Sequence, residues 1–393
     1  MVVSQAISQI GFSLVLPFLP LYVEHIGIHN VGQAALWAGL MATLSGLAMA
    51  VMAPVWGMLA DRYGRKPMVV RATLAGALIV GVMGLAHSVW LLLVLRLVQG
   101  LLTGTVSASV ALVSGLVPER KLGYSMGLMQ TAVFIGAAAG PLIGGIMADS
   151  LGYGWTFTLT AALLAVAGLL VIYGVKETWT RPAPRSAPGG APRQQRLRFR
   201  SSGIAPLVVV NLLDQFANSM AAPFLPLLIA KLSGGLSSAA TLTGLVLGVV
   251  AVTATLSSVV TGRLADRLGP KAIIIFCAGG AALFSLLQTF AGSVWSLTVL
   301  RGLMGLFIGG TIPSANTLLT QLTPAPQRGM AFGYASSASA VGFSVGPLVG
   351  ALIANYSLHL PFTITAVLFA MEAGWVAYGL RGVVFRDIYE QPV

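Results

Sequence analysis

Charged side chains are scarce in this 393-residue sequence. Asp, Glu, Lys and Arg together make up 8% of the residues, whereas 56% are hydrophobic. A soluble globular domain has about 25% charged and about 45–50% apolar residues. The composition therefore excludes a soluble domain and predicts an integral membrane protein, with the lipid bilayer as its first partner.

Several kinds of site are also excluded. Cys277 is the single cysteine, so no internal disulfide can form. The sequence has no phosphate-binding loop of the form G-x-x-x-x-G-K-[ST], no H-E-x-x-H zinc motif and no pair of cysteines. We therefore expect neither an enzyme nor ATP hydrolysis, and no metal or cofactor.

Apolar stretches long enough to cross a bilayer as helices, which takes about 20 residues, occur twelve times. They are numbered here as spans 1 to 12. No ten-residue segments of alternating polarity, typical of a membrane β-barrel, are present. We expect an all-α membrane protein with twelve transmembrane helices. The spans are 3–23, 34–60, 67–87, 90–116, 123–148, 153–175, 203–230, 239–264, 271–291, 294–319, 328–354 and 359–380.

One long polar interruption covers residues 176–202, with the sequence KETWTRPAPRSAPGGAPRQQRLRFRSS. Its Pro, Gly and Arg content predicts a linker between two six-helix halves, 1–175 and 203–393. Basic residues accumulate on the cytoplasmic side of membrane proteins. With both termini and the linker in the cytoplasm, all but three of the 22 Lys and Arg residues fall on that side: Lys231 lies outside, and Arg96 and Arg301 lie within spans. The net charge of +12 thus indicates topology in the cell membrane, and no nucleic-acid partner is expected.

The two halves repeat one another. PFLPLY in span 1 returns as PFLPLL in span 7, GMLADRYGRK as GRLADRLGPK, and GPLIG as GPLVG, each 205 or 206 positions later. Parallel repeats of six spans are the plan of transporters that bind substrate near the membrane midplane, between the halves. The repeat therefore predicts two pseudo-symmetric six-helix bundles.

The loop between spans 2 and 3 reads GMLADRYGRKP. It resembles the signature loop of the major facilitator superfamily, and the resemblance extends over essentially the whole chain. Asp61 lies at the C-terminal end of a helix, where the helix dipole disfavours an anion. The resemblance implies that span 11 of the other half, beginning at Arg328, supplies its partner; alternatively, the basic residues of the loop only enforce topology. In the second copy Pro270 replaces the equivalent of Arg65, so we expect a weaker gate there. The predicted gating residues are Gly57, Asp61, Arg62, Arg65, Arg328 and Asp266.

Span 5 contains GLMQTAVFIGAAAGPLIGG. This spacing of glycines resembles the signature of the superfamily's antiporters, especially the twelve-span drug:proton antiporters. Glycines four residues apart lie on one stripe of a helix and allow a neighbouring helix to approach closely, and the proline permits a bend. The resemblance implies export in exchange for protons. The predicted packing residues are Gly127, Gly136, Gly140, Pro141 and Gly144.

Charged residues within spans are candidates for proton coupling. Arg96, in the segment RLVQG of span 4, resembles the family segment whose arginine is assigned to that role; the alternative is structural support, which we favour for its repeat mate Arg301. Asp214 is the better placed of two acidic candidates, because it lies in a polar stripe on span 7. It would act as a proton or cation site, or else as a fixed polar anchor. The second candidate, Glu372, belongs to span 12, which is usually peripheral.

Spans 1, 4, 7 and 10 line the central cavity in this superfamily. Apolar and polarisable walls would bind substrates without demanding one hydrogen-bonding pattern. The predicted cavity residues are Gln5, Gln9, Phe12, Phe134, Asn211, Gln215 and Asn218. The resemblance implies a monomeric secondary active transporter of the cell inner membrane, involved in antibiotic resistance. It would export small, largely apolar or cationic drugs by alternating access, driven by the proton gradient without a cofactor. The alternative is proton-coupled export of a specific metabolite such as a sugar or an amino acid.

Overall fold

The computed structural model describes residues 1–117, 119–177, 204–236, 238–323 and 328–379, and every regular element in these ranges is a helix. The expected all-α fold is confirmed. The N-terminal half contains α1 (Val2–Val15), α2 (Leu19–His25), α3 (Val31–Tyr63), α4 (Arg65–Met83), α5 (Val89–Leu102), α6 (Thr105–Leu116), α7 (Glu119–Leu151) and α8 (Tyr153–Gly174). The C-terminal half contains α9 (Ile204–Ser219), α10 (Leu225–Leu232), α11 (Ala239–Leu268), α12 (Pro270–Gln288), α13 (Val294–Leu322), α14 (Arg328–Ala354) and α15 (Leu360–Gly379).

Ten helical segments of the described chain are long and apolar enough to cross a membrane. Spans 4 and 7 complete the twelve, but each consists of two shorter helices, α5 and α6 in one and α9 and α10 in the other. Span 4 breaks at Gly104, whose φ of 120° lies outside the helical region and is readily adopted only by glycine.

The repeated PFLPL phrase breaks the first span of each half. In span 1 a 3₁₀ turn, Leu16–Phe18, separates α1 from α2, and Pro20 lies in the first turn of α2. In span 7 a turn follows Ser219, and Pro226 lies in the first turn of α10. Proline has no N–H to donate within a helix, but it fits the first turn, where that donor is not needed.

Equivalent helices pack in equivalent ways within the two halves. In the N-terminal half α1 packs on α7, α3 on α5, and α4 on α8. In the C-terminal half α9 packs on α14, α11 on α13, and α12 on α15, which are the repeat counterparts of those pairs. The sequence repeat is therefore also a repeat of helix packing.

Two helix pairs form the largest contacts between the halves, α3 with α14 and α7 with α11, and α2 also contacts α10. We call the end of the bundle that carries α2 and α10 the α2 end. The opposite end, where the described chain stops at Glu177 and resumes at Ile204, is the linker end. The largest apolar cluster includes Phe18, in the 3₁₀ turn before α2, and Leu21 of α2. It also includes Phe224 and Leu228 of the other half. This part of the core therefore joins the halves at the α2 end.

Candidate functional site

Helices α3 and α14 touch at backbone distance in the part of α3 nearer the α2 end. A Cβ built on Gly39 would lie 2.7 Å from the carbonyl oxygen of Pro347 and 2.8 Å from the Cβ of Ala351. One on Gly46 would lie 3.0 Å from the Cβ of Ser344. These separations are too short for any side chain, so glycine is required for the two halves to meet here.

Helices α7 and α11 form the second contact between the halves, also towards the α2 end. A Cβ on Gly145 or on Gly244 would collide with the backbone of Ala240 or of Pro141, respectively. The carboxylate of Asp149, in the last turn of α7, accepts hydrogen bonds from the first turn of α11. The backbone N–H of Thr241 donates to Oδ2 (2.7 Å), and that of Ala240 donates to Oδ1 (3.3 Å). An anion at a helix N-terminus is favourable, so Asp149 fastens one half to the other.

The halves separate towards the linker end. Gly57 lies near the end of α3, and Gly262 is its repeat counterpart on α11. A Cβ built on either glycine would meet no described atom within 4 Å. Among the described residues, the close contacts between the halves therefore lie towards the α2 end, and none is present at these two glycines nearer the linker end.

Two of the predicted gating residues, Arg62 and Arg65, have described contacts within their own half. The guanidinium carbon of Arg62 lies 5.4 Å from the centroid of the neighbouring Tyr63 ring. Nη1 of Arg65 donates to the carbonyl oxygen of Ala111 in α6 (2.7 Å). The side chains of three further predicted gating residues lie outside the described part, so their pairing stays a prediction. These three are Asp61, Asp266 and Arg328.

Glu177 has a role that the sequence analysis missed. Its carboxylate accepts hydrogen bonds from the backbone N–H groups of Arg65 (3.0 Å) and Lys66 (2.8 Å), which form the first turn of α4. The carboxylate therefore satisfies free donors at a helix N-terminus. It joins the end of the N-terminal half to the loop between α3 and α4. The residues are 111 and 112 positions apart in the chain, so no local spacing indicated the contact.

The glycine stripe of span 5 packs on α1. A Cβ on Gly136 would lie 2.5 Å from the Cβ of Gln9, and one on Gly140 would lie 2.9 Å from the carbonyl oxygen of Ile10. One on Gly144 would collide with the backbone of Leu14. The side-chain environment around Gly127 lies outside the description. Gly136, Gly140 and Gly144 thus face inwards, whereas the adjacent Gly145 faces the other half.

The predicted cavity residues of the N-terminal half differ in environment. Gln5 is buried, and neither its amide oxygen nor its amide nitrogen has a hydrogen-bond partner. Gln9 lies against Gly136, as described. The ring of Phe12 points towards α4, because a Cβ on Gly76 would lie 3.1 Å from its Cζ. Phe134 is exposed. The ring of Phe12 therefore points into its own half.

The two arginines within spans are both buried. Nη1 of Arg96 donates to Oε1 of Gln99, one turn later on α5 (2.6 Å), and its Nε has no hydrogen-bond partner. The guanidinium carbon of Arg301 lies 5.5 Å from the centroid of the Phe362 ring, and its Nε is also without a partner. Each arginine is therefore held within its own half, and each keeps unused donor capacity.

Two residues of the polar stripe of span 7, Asn211 and Asp214, are buried within the C-terminal half, and the lining of the central cavity by the stripe stays a prediction. Asn211 is buried, and its Oδ1 accepts from the hydroxyl of Ser339 on α14 (3.2 Å). Asp214 is 2% exposed, and its Oδ2 accepts from Nδ2 of Asn218 (3.1 Å), which is partly buried. Gln215, beside them, is partly buried. The helical period of 3.6 residues predicts that these polar residues share one face of α9. Packing against the neighbouring helices decides which residues that face contacts.

Comparisons with known proteins agree along nearly the whole chain. A family model of the Major Facilitator Superfamily matches residues 1–211 and 207–383. The "Multidrug resistance protein MdtG" of Enterobacter lignolyticus (strain SCF1) is 35% identical over 373 residues, covering 94% of this chain and 89% of that protein. The protein of the same name from Citrobacter koseri is 36% identical over 373 residues, covering 93% and 90%.

Solved structures share the fold at lower identity. The crystal structure of a D-xylose-proton symporter has a TM-score of 0.75 at 16% identity and covers 95% of each chain. That of the human organic anion transporter MFSD10 has a TM-score of 0.68 at 20% identity, covering 95% of this chain and 97% of that one. These two establish the architecture alone. With a family model that spans both halves and relatives above 30% identity over most of its length, the chain belongs to the Major Facilitator Superfamily.

Proposed function

We propose that the protein is a secondary active transporter that exports small, largely apolar or cationic drugs in exchange for protons. The names of the two multidrug resistance relatives support drugs as the substrate class. The observation that carries the mechanism is the contrast between the two ends: the halves meet at the α2 end and part at the linker end. Alternating access requires such a state and its reverse.

In this proposal the linker end faces the cytoplasm of a cell-membrane protein. The positive-inside rule supports this orientation, because Arg62, Arg65 and Lys66 lie at that end. Lys231, in the last turn of α10, is the one basic residue assigned to the outside. Both termini then lie in the cytoplasm, and the open cavity receives substrate from the cytoplasm or the inner leaflet.

Release to the outside requires the α2 end to open. The contacts that must separate there include backbone approaches at Gly39, Gly46 and Gly145, together with the two hydrogen bonds to Asp149. Closure of the linker end then brings the ends of α3 and α14 together. That step would engage Asp61 with the first turn of α14, as the family resemblance implies.

Proton coupling is assigned to Arg96 and Asp214. An arginine at the centre of a membrane helix costs at least about 2.5–3.5 kcal/mol on insertion scales. The single bond to Gln99 leaves Arg96 free to interact further when the cavity changes shape. Asp214 is a buried carboxyl group with one oxygen that has no partner, so it can take up and release a proton.

Each half would act as one body during transport. We assign residues 1–175 and 203–393 to the two bodies and 176–202 to a cytoplasmic linker that lets them rock. One chain supplies both halves of the cavity, which makes a monomer sufficient. The partners are then a small molecule, protons and lipid, and the proton gradient replaces a cofactor.

Transport in proteoliposomes tests the proposed function. The purified protein is reconstituted with an acidic lumen, and accumulation of ethidium or tetraphenylphosphonium is followed with and without a protonophore. We expect accumulation in the lumen that the protonophore abolishes. The matched control is empty liposomes of the same lipid. Accumulation that ignores the pH gradient would overturn proton exchange. Movement of a sugar or an amino acid, with neither cation transported, would establish the specific-metabolite alternative.

A further inference from the structure

A layer of three ionisable side chains lies inside the C-terminal half. It consists of Asp214 on α9, Cys277 on α12 and Glu372 on α15, and we call it the carboxyl layer. Asp214 is 2% exposed, and the other two are fully buried. Both α9 and α12 pack on α15. On the fourth side α13 closes the layer, because a Cβ on Gly310 would lie 2.7 Å from the Sγ of Cys277.

Apolar clusters enclose the carboxyl layer from both ends. Each layer residue lies between two apolar residues of its own helix, one three or four positions before it and one three or four positions after it. One of these neighbours belongs to a cluster on the linker side, and the other belongs to a cluster on the α2 side. The cluster on the linker side contains Val210, Ile274 and Val376. The cluster on the α2 side contains Ala217, Ala281 and Phe369. One helical turn of apolar packing therefore separates the layer from either end of the half.

Most hydrogen-bonding capacity in the layer is unused. Neither carboxyl oxygen of Glu372 has a hydrogen-bond partner, and neither has Oδ1 of Asp214. The packing of α9 and α12 on α15, between the same two apolar clusters, places both carboxyl groups in one layer with the Cys277 thiol. Buried carboxyl oxygens without donors are rare in folded proteins, since each such group carries a desolvation penalty.

Among the described residues, no cation lies close enough to account for the two carboxyl groups. Arg301, a buried arginine of the same half, lies against Phe362, which is ten residues from Glu372 and so roughly 15 Å away along α15. Lys271 begins α12 six residues before Cys277, roughly 9 Å nearer the linker end. Within the described part of the chain, no group of three His, Cys, Asp or Glu residues has the arrangement to hold a metal ion.

We propose that Asp214 and Glu372 form a two-carboxyl proton-binding site, with one proton shared between them. Two carboxylates side by side in apolar surroundings are unfavourable, and one proton removes half of that charge and supplies the missing donor. Glu372, on a helix assigned to the periphery of the bundle, thereby becomes a member of the site. The role of this proton in transport rests on the proposed function; its binding does not.

The position of the site offers a way to couple its proton to the movement of the halves. Asp214 is five residues before Ser219, whose hydroxyl donates to the carbonyl oxygen of Gly342 on α14 (3.3 Å). Helix α14 in turn contacts the N-terminal half through α3. A change in charge on α9 therefore acts on a helix that forms the closed end.

Infrared spectra of the purified protein, recorded over a range of pH, test proton binding without any substrate. We expect wild type to show the band of a buried protonated carboxyl group. Asp214→Asn and Glu372→Gln should each remove part of it and move the titration midpoint of the remaining group by about one pH unit or more. The double variant should lose the band. The matched control is Glu24→Gln, at the α2 end, which should leave band and midpoint unchanged. Single variants whose midpoints stay at the wild-type value would overturn the shared proton.

Labelling of wild type keeps the proposal testable if a variant does not fold. Dicyclohexylcarbodiimide reacts with protonated carboxyl groups in apolar surroundings. We expect label on Glu372 or Asp214, at one group per chain, that decreases as the pH rises. No label on either residue at any pH would overturn the proposal. A loss of label on adding Na⁺ at constant pH would also overturn it, in favour of a cation site.

Transport separates a failure of the site from a failure of the proposed function. Glu372→Gln should lose accumulation driven by the pH gradient while keeping the exchange of labelled for unlabelled tetraphenylphosphonium. If the spectra establish the shared proton but wild-type export ignores the gradient, the site stands and the proposed function falls. If export is proton-driven and Glu372→Gln matches wild type, Glu372 has no part in coupling.

Discussion

Asp149 carries the hydrogen-bonded contact between the halves at the closed end, and Asp149→Asn tests its strength. The asparagine side chain keeps one acceptor oxygen but loses the negative charge and the second acceptor. A charge at a partly buried helix N-terminus contributes up to about 2 kcal/mol, and a hydrogen bond to a charged group contributes about 1.5–3 kcal/mol. Allowing for the acceptor that remains, we expect the closed α2 end to lose about 1–2 kcal/mol. That loss changes the ratio of the two states about 5- to 30-fold.

Distances between spin labels measure that ratio directly. Leu85 and Tyr356 are 73% and 87% exposed, belong to different halves, and lie at the α2 end away from Asp149. Labelled cysteines at these positions should show a longer-distance population that grows in Asp149→Asn. Glu24→Gln is the control, because it removes a carboxylate at the same end that makes neither hydrogen bond to α11. An Asp149→Asn distribution identical to that of wild type would refute the reasoning.

Three further predictions concern packing, the gate and the linker. Gly140→Ala should destabilise the protein by about 1–3 kcal/mol, because its Cβ would lie 2.9 Å from a backbone oxygen of α1. The control Gly154→Ala, whose Cβ would meet no neighbour, should leave the unfolding temperature in detergent unchanged. Equal unfolding temperatures for the two variants would contradict the close packing at Gly140. Asp61→Asn should increase the population of the state open at the linker end by about 5- to 150-fold. Distances between spin labels at that end measure the shift. If the distances equal those of wild type, Asp61 only helps to set the membrane topology. Glu177→Ala should lower the free energy of unfolding by about 0.5–2 kcal/mol, because it removes the carboxylate from the start of α4. The control Lys176→Ala, at the neighbouring exposed residue, should change the stability little. Thermal unfolding measures both, and an equal loss of stability in the two variants would contradict the capping role of Glu177.

Much of the architecture could be predicted from composition and repetition alone. Backbone groups in lipid have no water to bind, so apolar stretches of about 20 residues must form helices that satisfy their own hydrogen bonds. That constraint is local, and it holds wherever the stretch lies in the fold. The repeated PFLPL phrase coincides with a break in the first span of each half. Single prolines such as Pro54 and Pro141 lie inside continuous helices. Twelve spans in two equivalent halves therefore followed from the order of the residues.

Contacts between distant residues depended on the tertiary structure. The carboxylates of Asp149 and Glu177 reach helix N-termini about a hundred positions away in the chain, and at such separations the sequence offers no spacing to interpret. The break at Gly104 was missed because glycine is tolerated inside helices, and only the packed structure gives it a positive φ.

The polar stripe on α9 shows most clearly which features the sequence determines and which features depend on the tertiary structure. Sequence periodicity placed Asn211, Asp214 and Asn218 on one face of a helix, because residues three, four or seven apart share a face. It did not specify which neighbour that face meets. Packing of α9 against α14 and α15 buried Asn211 and Asp214 within the C-terminal half and placed Asp214 in one layer with Glu372, 158 positions later in the chain. A helix face is a property of local geometry, whereas its partner is decided by how all the helices fill the same space.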